Sequence, residues 1–217
     1  MDYIKVLELR KSISKRMEEL LKNNDFKLNI ENLTGIHDYL FKGIYFNHGK
    51  FRKFDLYKEE LLLDGDSVHY SSNFVIPSHL GFILRDEIGK DYSKMTNDEV
   101  AKSIATFTKD IWQVHPFNDG NTRTTEIYII KYLKSMGYNV DNEDFKNNAA
   151  YLRNALVKAC YSNRELEIEA DMKPLIKFYK YVLFDKSLVL EEEDLFIPNI
   201  YKIYENKTRR KNKKERK

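Results

Sequence analysis

Twelve consecutive residues, His115-Pro116-Phe117-Asn118-Asp119-Gly120-Asn121-Thr122-Arg123-Thr124-Thr125-Glu126, hold the side chains best suited to chemistry in this chain. His115 is the residue type whose ordinary pKa suits general-base work near neutrality. Asp119 offers a hard oxygen of the kind Mg2+ takes while it also binds substrate phosphates. Gly120 permits a turn that other residues resist, and the amides after it open a helix. Such an end is an anion site through its unsatisfied N–H groups and its dipole. Arg123 in that first turn opposes the dipole unless an anion such as a diphosphate sits between them. Singly, each residue has an ordinary explanation: a structural histidine before proline, or Asp119 as a helix cap. Jointly they suit chemistry on a nucleoside polyphosphate.

Two periodic segments must position this run. Val100, Ile104, Phe107, Ile111 and Val114 recur at helical steps, and Thr96 with Glu99 has the spacing of a capping box. Pro116 biases His115 away from helix, so His115 sits at a sharp break with Phe117 as a core anchor. A second helix is expected from Asn121 to Gly137, with Ile127, Ile130, Leu133 and Met136 inward and Gly137 just past its end. A third is expected over 143–160 on Phe145, Ala149, Leu152, Leu156 and Ala159. Further helices are expected at 3–22, 31–46, 76–88 and 174–186, the last with Pro174 in its first turn. Only 51–72 alternates. There Asp64-Gly65 between apolar runs predicts a short β-hairpin. The expected fold class is all-α with this one hairpin as a surface excursion or docking edge.

At 217 residues with ordinary apolar content, one soluble core is expected. No apolar run approaches the ~20 residues that span a bilayer, and the N-terminus lacks the apolar core of a signal peptide. The single cysteine, Cys160, excludes a disulfide framework, fits a reducing cytoplasm, and reads as a small buried hydrophobe. The net charge of +3 conceals a local excess of +7 in 207–217, so the remaining body carries −4. That tail reads as a solvated basic segment, with weak, salt-sensitive attraction to nucleic acid or an acidic partner as the alternative. The expected organisation is an N-terminal helix over 1–30, a main domain over 31–190, a C-terminal segment over 191–206 beyond the acidic run Glu191–Asp194, and the basic tail.

The run from His115 to Arg123 resembles the signature of the Fic family, H-P-F-x-[D/E]-G-N-[G/K]-R-x-x-R, matching at His115, Pro116, Phe117, Asp119, Gly120, Asn121 and Arg123. The stretches Ile36-His37-Asp38-Tyr39-Leu40-Phe41, Ile44-Tyr45 and Gly49-Lys50-Phe51-Arg52 are also similar to family sequence. So are Leu63–Tyr70, Trp112-Gln113-Val114 and Tyr151–Val157. The resemblance implies a mostly helical fold that transfers a nucleoside monophosphate, commonly AMP from Mg·ATP, to a hydroxyl of a target protein or of itself. Carried over, His115 is the base. Asp119 holds Mg2+ bridging the α- and β-phosphates, Gly120, Asn121 and Thr122 form the anion hole, and Arg123 neutralises the β-phosphate. Leu63, Gly65, Ser67, Val68 and Tyr70 form a flap that registers the target's Tyr, Ser or Thr segment by strand addition.

Two positions depart from the signature. Thr122 replaces a glycine or lysine but keeps its backbone N–H. Glu126 replaces the final arginine, which in the family helps to hold a γ-phosphate. A carboxylate facing the site would repel that group, whereas pairing with Arg123 one helical turn away would not. Partial matches to the family's inhibitory helix occur at Tyr201–Asn206, with Glu205, and at Ser14–Glu19, with Glu18. Alternatives are a Fic enzyme with another nucleotide or phosphate-linked donor, removal of AMP, or an interaction module with a weakened site. Self-association or an antitoxin partner stays open.

Overall fold

The computed structural model describes residues 3–23 and 25–202. Its eight α-helices are α1 (Tyr3–Lys22), α2 (Ile30–Phe41), α3 (Ile76–Ile88), α4 (Asn97–Val114), α5 (Asn121–Ser135), α6 (Asn142–Asn147), α7 (Ala149–Cys160) and α8 (Lys173–Leu183). The described residues form an all-α fold. No helix among them is long and apolar enough to cross a membrane.

Helices α4 and α5 make the centre. The amide of Glu99 donates to Thr96 Oγ1 at 3.3 Å, and Glu99 Oε2 accepts the Thr96 amide at 2.8 Å, so both halves of the capping box form. All five periodic residues of α4 are buried. Each such side chain contributes roughly 1.5–3 kcal/mol of transfer free energy. Helix α4 packs on α3, α5, α7 and α8, while α5 also lies against α1 and α2. This leaves α5 enclosed on nearly every side, including its polar residues Thr124, Thr125, Glu126 and Lys131. Ile127, Ile130 and Leu133 are inward as expected, and Gly137 (φ +90°) stands just past the C-cap Met136.

The expectations fail in three places, each for a local reason. Helix α2 stops at Phe41, five residues early, because Gly43 turns at φ +77° and Arg16 of α1 donates to the carbonyls of Leu40 and Lys42 at 2.9 and 2.8 Å. The helix expected over 143–160 is two helices. Asn148 breaks it, its side-chain amide donating to the Asp144 carbonyl at 2.8 Å, and Ala149 is exposed rather than inward. The hairpin is absent: the described residues contain no β-strand at 61–70. Leu61–Leu63 form a 3-10 turn, Asp64 and Gly65 follow at φ 50° and 78°, and Glu60 and Asp66 make one isolated antiparallel bridge. An isolated two-stranded ribbon is marginal in water. Here Leu63 and Val68 reach the core and fix a loop instead.

The acidic run Glu191–Asp194 packs on α7 and α8 through the 3-10 turn Glu192–Leu195. Asp194 accepts from Tyr151 Oη at 3.0 Å and from Lys177 at 2.7 Å. Cys160 is buried, which pushes its thiol pKa up to about 12. Glu205 and the tail 207–217 lie outside the described residues.

Candidate active site

The site is the sharp link between α4 and α5. His115 ends α4 in the left-handed region at φ 49°, ψ 58°, unusual for a residue with a Cβ. Arg52 holds that break in place. Its guanidinium donates to the carbonyls of His115 (2.8 Å), Val114 (3.3 Å), Phe54 (2.7 Å) and Ser71, and its amide donates to the Pro116 carbonyl at 2.9 Å. Phe117 is the expected anchor, 1% exposed and stacked on His37 at 3.8 Å. His37 accepts the Gly49 amide at Nδ1 (2.9 Å), so its Nε2 donates to the Asp119 carbonyl at 3.0 Å. Burial drops the His37 pKa to about 4, which keeps it neutral in this bridging role.

The side chain of Asn121 staples the loop, while its amide stays at the start of α5. Its buried side chain accepts the Phe117 amide at 2.9 Å and donates to the Phe117 carbonyl at 2.8 Å, closing the loop on itself. Gly120 is required twice over. Its φ is +77°, and a Cβ there would lie 2.4 Å from the Phe41 ring. No side chain caps α5, and its first intrahelical bond is Thr124 N–H to the Gly120 carbonyl at 3.0 Å. The amides of Asn121, Thr122 and Arg123 therefore precede the ladder at an open N-terminus.

These elements enclose a cleft of about 140 Å3 lined by Lys58, His115, Asp119, Gly120, Asn121, Thr122, Arg123 and Arg153. Pockets that enclose whole small molecules run to roughly 300–1,000 Å3, so this one is nearer the size of a single phosphate group than of a whole nucleotide. Arg123 lies over the Phe41 ring at 5.8 Å. Asp119, exposed at the rim, accepts from Tyr45 Oη at 3.1 Å and from the Gly120 amide at 2.7 Å. No group of three or more His, Cys, Asp or Glu side chains able to hold a metal occurs among the described residues. A single exposed carboxylate beside a phosphate cleft nevertheless fits the way Mg2+ is bound with substrate phosphates.

His115 departs from the ordinary histidine value. Burial, then the charge of Lys58, pull its pKa down to about 3, with Arg153 and Arg52 adding to the effect. Its Nδ1 lies 3.2 Å from the Trp112 carbonyl and donates to it. This leaves the lone pair on Nε2. Tyr70, from the flap segment, covers the ring at 4.0 Å. Of the other expected flap residues, Leu63 and Val68 are buried, and Ser67 bonds within the loop to the Lys58 amide and the Val68 carbonyl.

Glu126 does not face the cleft. It is 8% exposed, and its charge is felt by Arg123 and by Tyr179 of α8. Burial raises its pKa to about 7, against a smaller opposing effect of Arg123. Of the two alternatives for Glu126, a salt bridge with Arg123 does not form among the described residues, and Glu126 is not among the residues that line the cleft. Glu18 is exposed on α1 and is not among the residues that line the cleft.

Sequence reasoning missed Lys58 and Arg153. Lys58 sits in an alternating charged segment with no distinguishing signal. Arg153 does carry one, as the lone cation between Tyr151 and Val157.

Residues 27–133 match the Fic/DOC family. No curated protein matches the chain. Among solved structures, the fold is similar to that of BepC, a VirB-translocated effector of Bartonella tribocorum with bound AMPPNP (17% identity, 83% of this chain and 87% of that chain covered, TM-score 0.65). It is also similar to the N-terminal FIC domain of Bep8 from Bartonella sp. 1-1C (16% identity, 88% and 91% covered, TM-score 0.66). A third likeness is the N-terminal Fic domain of a cell filamentation protein from Bartonella quintana with bound ADP (18% identity, 85% and 89% covered, TM-score 0.57).

Proposed function

The chain carries a Fic/DOC family domain over residues 27–133, and from that premise we propose that it is a protein adenylyltransferase. It moves AMP from Mg·ATP to a Tyr, Ser or Thr hydroxyl of a target protein, its own side chains included. One observation carries this reading: a neutral histidine with its Nε2 lone pair available, the open N-terminus of α5 and the guanidinium of Arg123 share one phosphate-sized cleft. The AMPPNP and ADP bound by the similar Bartonella proteins support a nucleotide as the ligand.

In this mechanism His115 Nε2 takes the proton of the acceptor hydroxyl as the hydroxyl oxygen bonds to the α-phosphorus. The bond from that phosphorus to its bridging oxygen breaks, and pyrophosphate leaves against the amides of 121–123 and Arg123. His115 then returns its proton to solvent. Asp119 would hold Mg2+ together with the phosphates, where the ion offsets charge on the α- and β-groups. A base with a pKa near 3 is weak; burial is the first cause of that depression, and the charges of Lys58, Arg153 and Arg52 add to it. A bound polyphosphate cancels them and raises the basicity of His115 when substrate is in place. The target segment runs beside the loop 61–70, whose Tyr70 covers His115.

The test is incubation with each nucleoside triphosphate and Mg2+, for the parent and for His115→Ala, followed by intact-mass measurement of the chain and candidate targets. A gain of one nucleoside monophosphate that needs His115 is expected. No gain on any protein, with no nucleotide bound, sinks the reading in favour of an interaction module.

A further inference from the structure

The cleft holds a cation for which the transfer step above has no use. Arg153 reaches it from α7, its side chain 26% exposed. Nη1 donates to Thr122 Oγ1 at 2.9 Å, and Nη2 donates to both carboxylate oxygens of Glu60 at 2.7 and 2.6 Å. Its guanidinium lies 5.6 Å over the Trp112 ring, and Trp112 Nε1 donates to the same Thr122 hydroxyl at 3.0 Å. Thr122 therefore works through its side chain as well as its amide, and a glycine in its place would leave Arg153 untethered on this side. Nearby, position 126 offers no cation, since a buried Glu126 stands there.

We propose that Arg153, tethered by Thr122 and balanced by Glu60, binds the terminal phosphates of the donor nucleotide and sets its preference for a triphosphate over a monophosphate. The proposal rests on the nucleotide reading given above. A phosphate chain leaving the α5 N-terminus beside Arg123 runs between the elements that carry Lys58 and Arg153, which line the same cleft. Thr122 and Glu60 leave N–H donors of the guanidinium free, and its planar fork suits phosphate oxygens. Glu60, 8% exposed at its side chain, neutralises Arg153 while the cleft holds no anion. The two departures of this chain from its family's signature are then linked: Thr122 brings in an arginine from α7 near the point where Glu126 supplies none.

The experiment is calorimetric binding of ATP, GTP, CTP and UTP and of their monophosphates, with Mg2+, to the full chain. It compares the parent with Arg153→Ala, Thr122→Gly and the double variant Arg153→Ala/Glu60→Gln. The double variant leaves no stranded carboxylate, and a thermal melt confirms that each variant is folded. The parent is expected to bind a triphosphate more tightly than its monophosphate. Arg153→Ala and the double variant should weaken the triphosphate by about tenfold or more, as for loss of a charge-assisted hydrogen bond, while the monophosphate changes less than about twofold. Thr122→Gly should show a smaller loss of the same kind. Unchanged triphosphate preference in the folded double variant overturns the assignment and leaves Arg153 as a tie between the flap loop and α7. A parent that binds none of the nucleotides overturns the nucleotide reading itself, and the assignment with it.

Discussion

Replacing Glu126 with glutamine isolates the cost of the one buried carboxylate in the centre of α5. Burial sets its pKa near 7 in the folded chain, against an ordinary value of 4.5. A carboxyl raised in this way favours the folded state while protonated and loses that contribution as pH rises from the unfolded value through the folded one. The gap corresponds to about 3 kcal/mol, lost between roughly pH 4.5 and pH 7. Glutamine has nearly the same shape and no charge to bury. Denaturant unfolding of parent and Glu126→Gln across pH 4.5 to 8.5 should give equal stabilities at the acid end. At the alkaline end the variant should be about 3 kcal/mol more stable. The depressed pKa values of His115 and His37 act in the opposite sense, adding stability as pH rises towards 6.5. They are shared by both chains and cancel in the difference. A difference that stays flat with pH would refute the claim that the carboxylate is buried without compensation.

Gly120→Ala should cost at least about 1–3 kcal/mol, from an overpacked contact with Phe41 and a residue forced to positive φ; thermal unfolding measures it, and an unchanged midpoint contradicts the loop geometry. His115, followed by NMR of its ring, should stay neutral down to about pH 3 in the free protein. Its pKa should rise when a nucleotide fills the cleft, and Lys58→Met should raise it without ligand; a value near 6.5 in the free protein contradicts the enclosure described.

Helix α4 was readable from sequence because its signals are local: a capping pair three residues apart and an apolar stripe at helical spacing. A break at His115 and the turn at Gly120 were readable for the same reason, since Pro116 and Gly120 act on their neighbours. The left-handed backbone of His115 was not, because a following proline favours extended backbone. The hairpin was misread because Asp64-Gly65 specifies a tight turn but not the strands beside it. What decided the segment was where Leu63 and Val68 could be buried. The burial of Glu126 follows from the helices packed around α5, and its position in the signature gave no hint of that. Arg153 reached the cleft through Thr122 and Glu60, contacts separated by 31 and 93 residues, for which no local pattern exists. The resemblance placed Asn121 at the anion site, and nothing local indicated that its side chain would also staple the loop.

The central claim is nucleotidyl transfer from this cleft, and the position of the label in the donor tests it most directly. Incubating the chain and its target with the active nucleoside triphosphate, labelled at either the α- or the γ-phosphate, should leave the α-label covalently on protein and release the γ-label as pyrophosphate. His115→Ala should abolish the retained label. Retention of the γ-label instead, or retention of the α-label that survives loss of His115, would contradict the account.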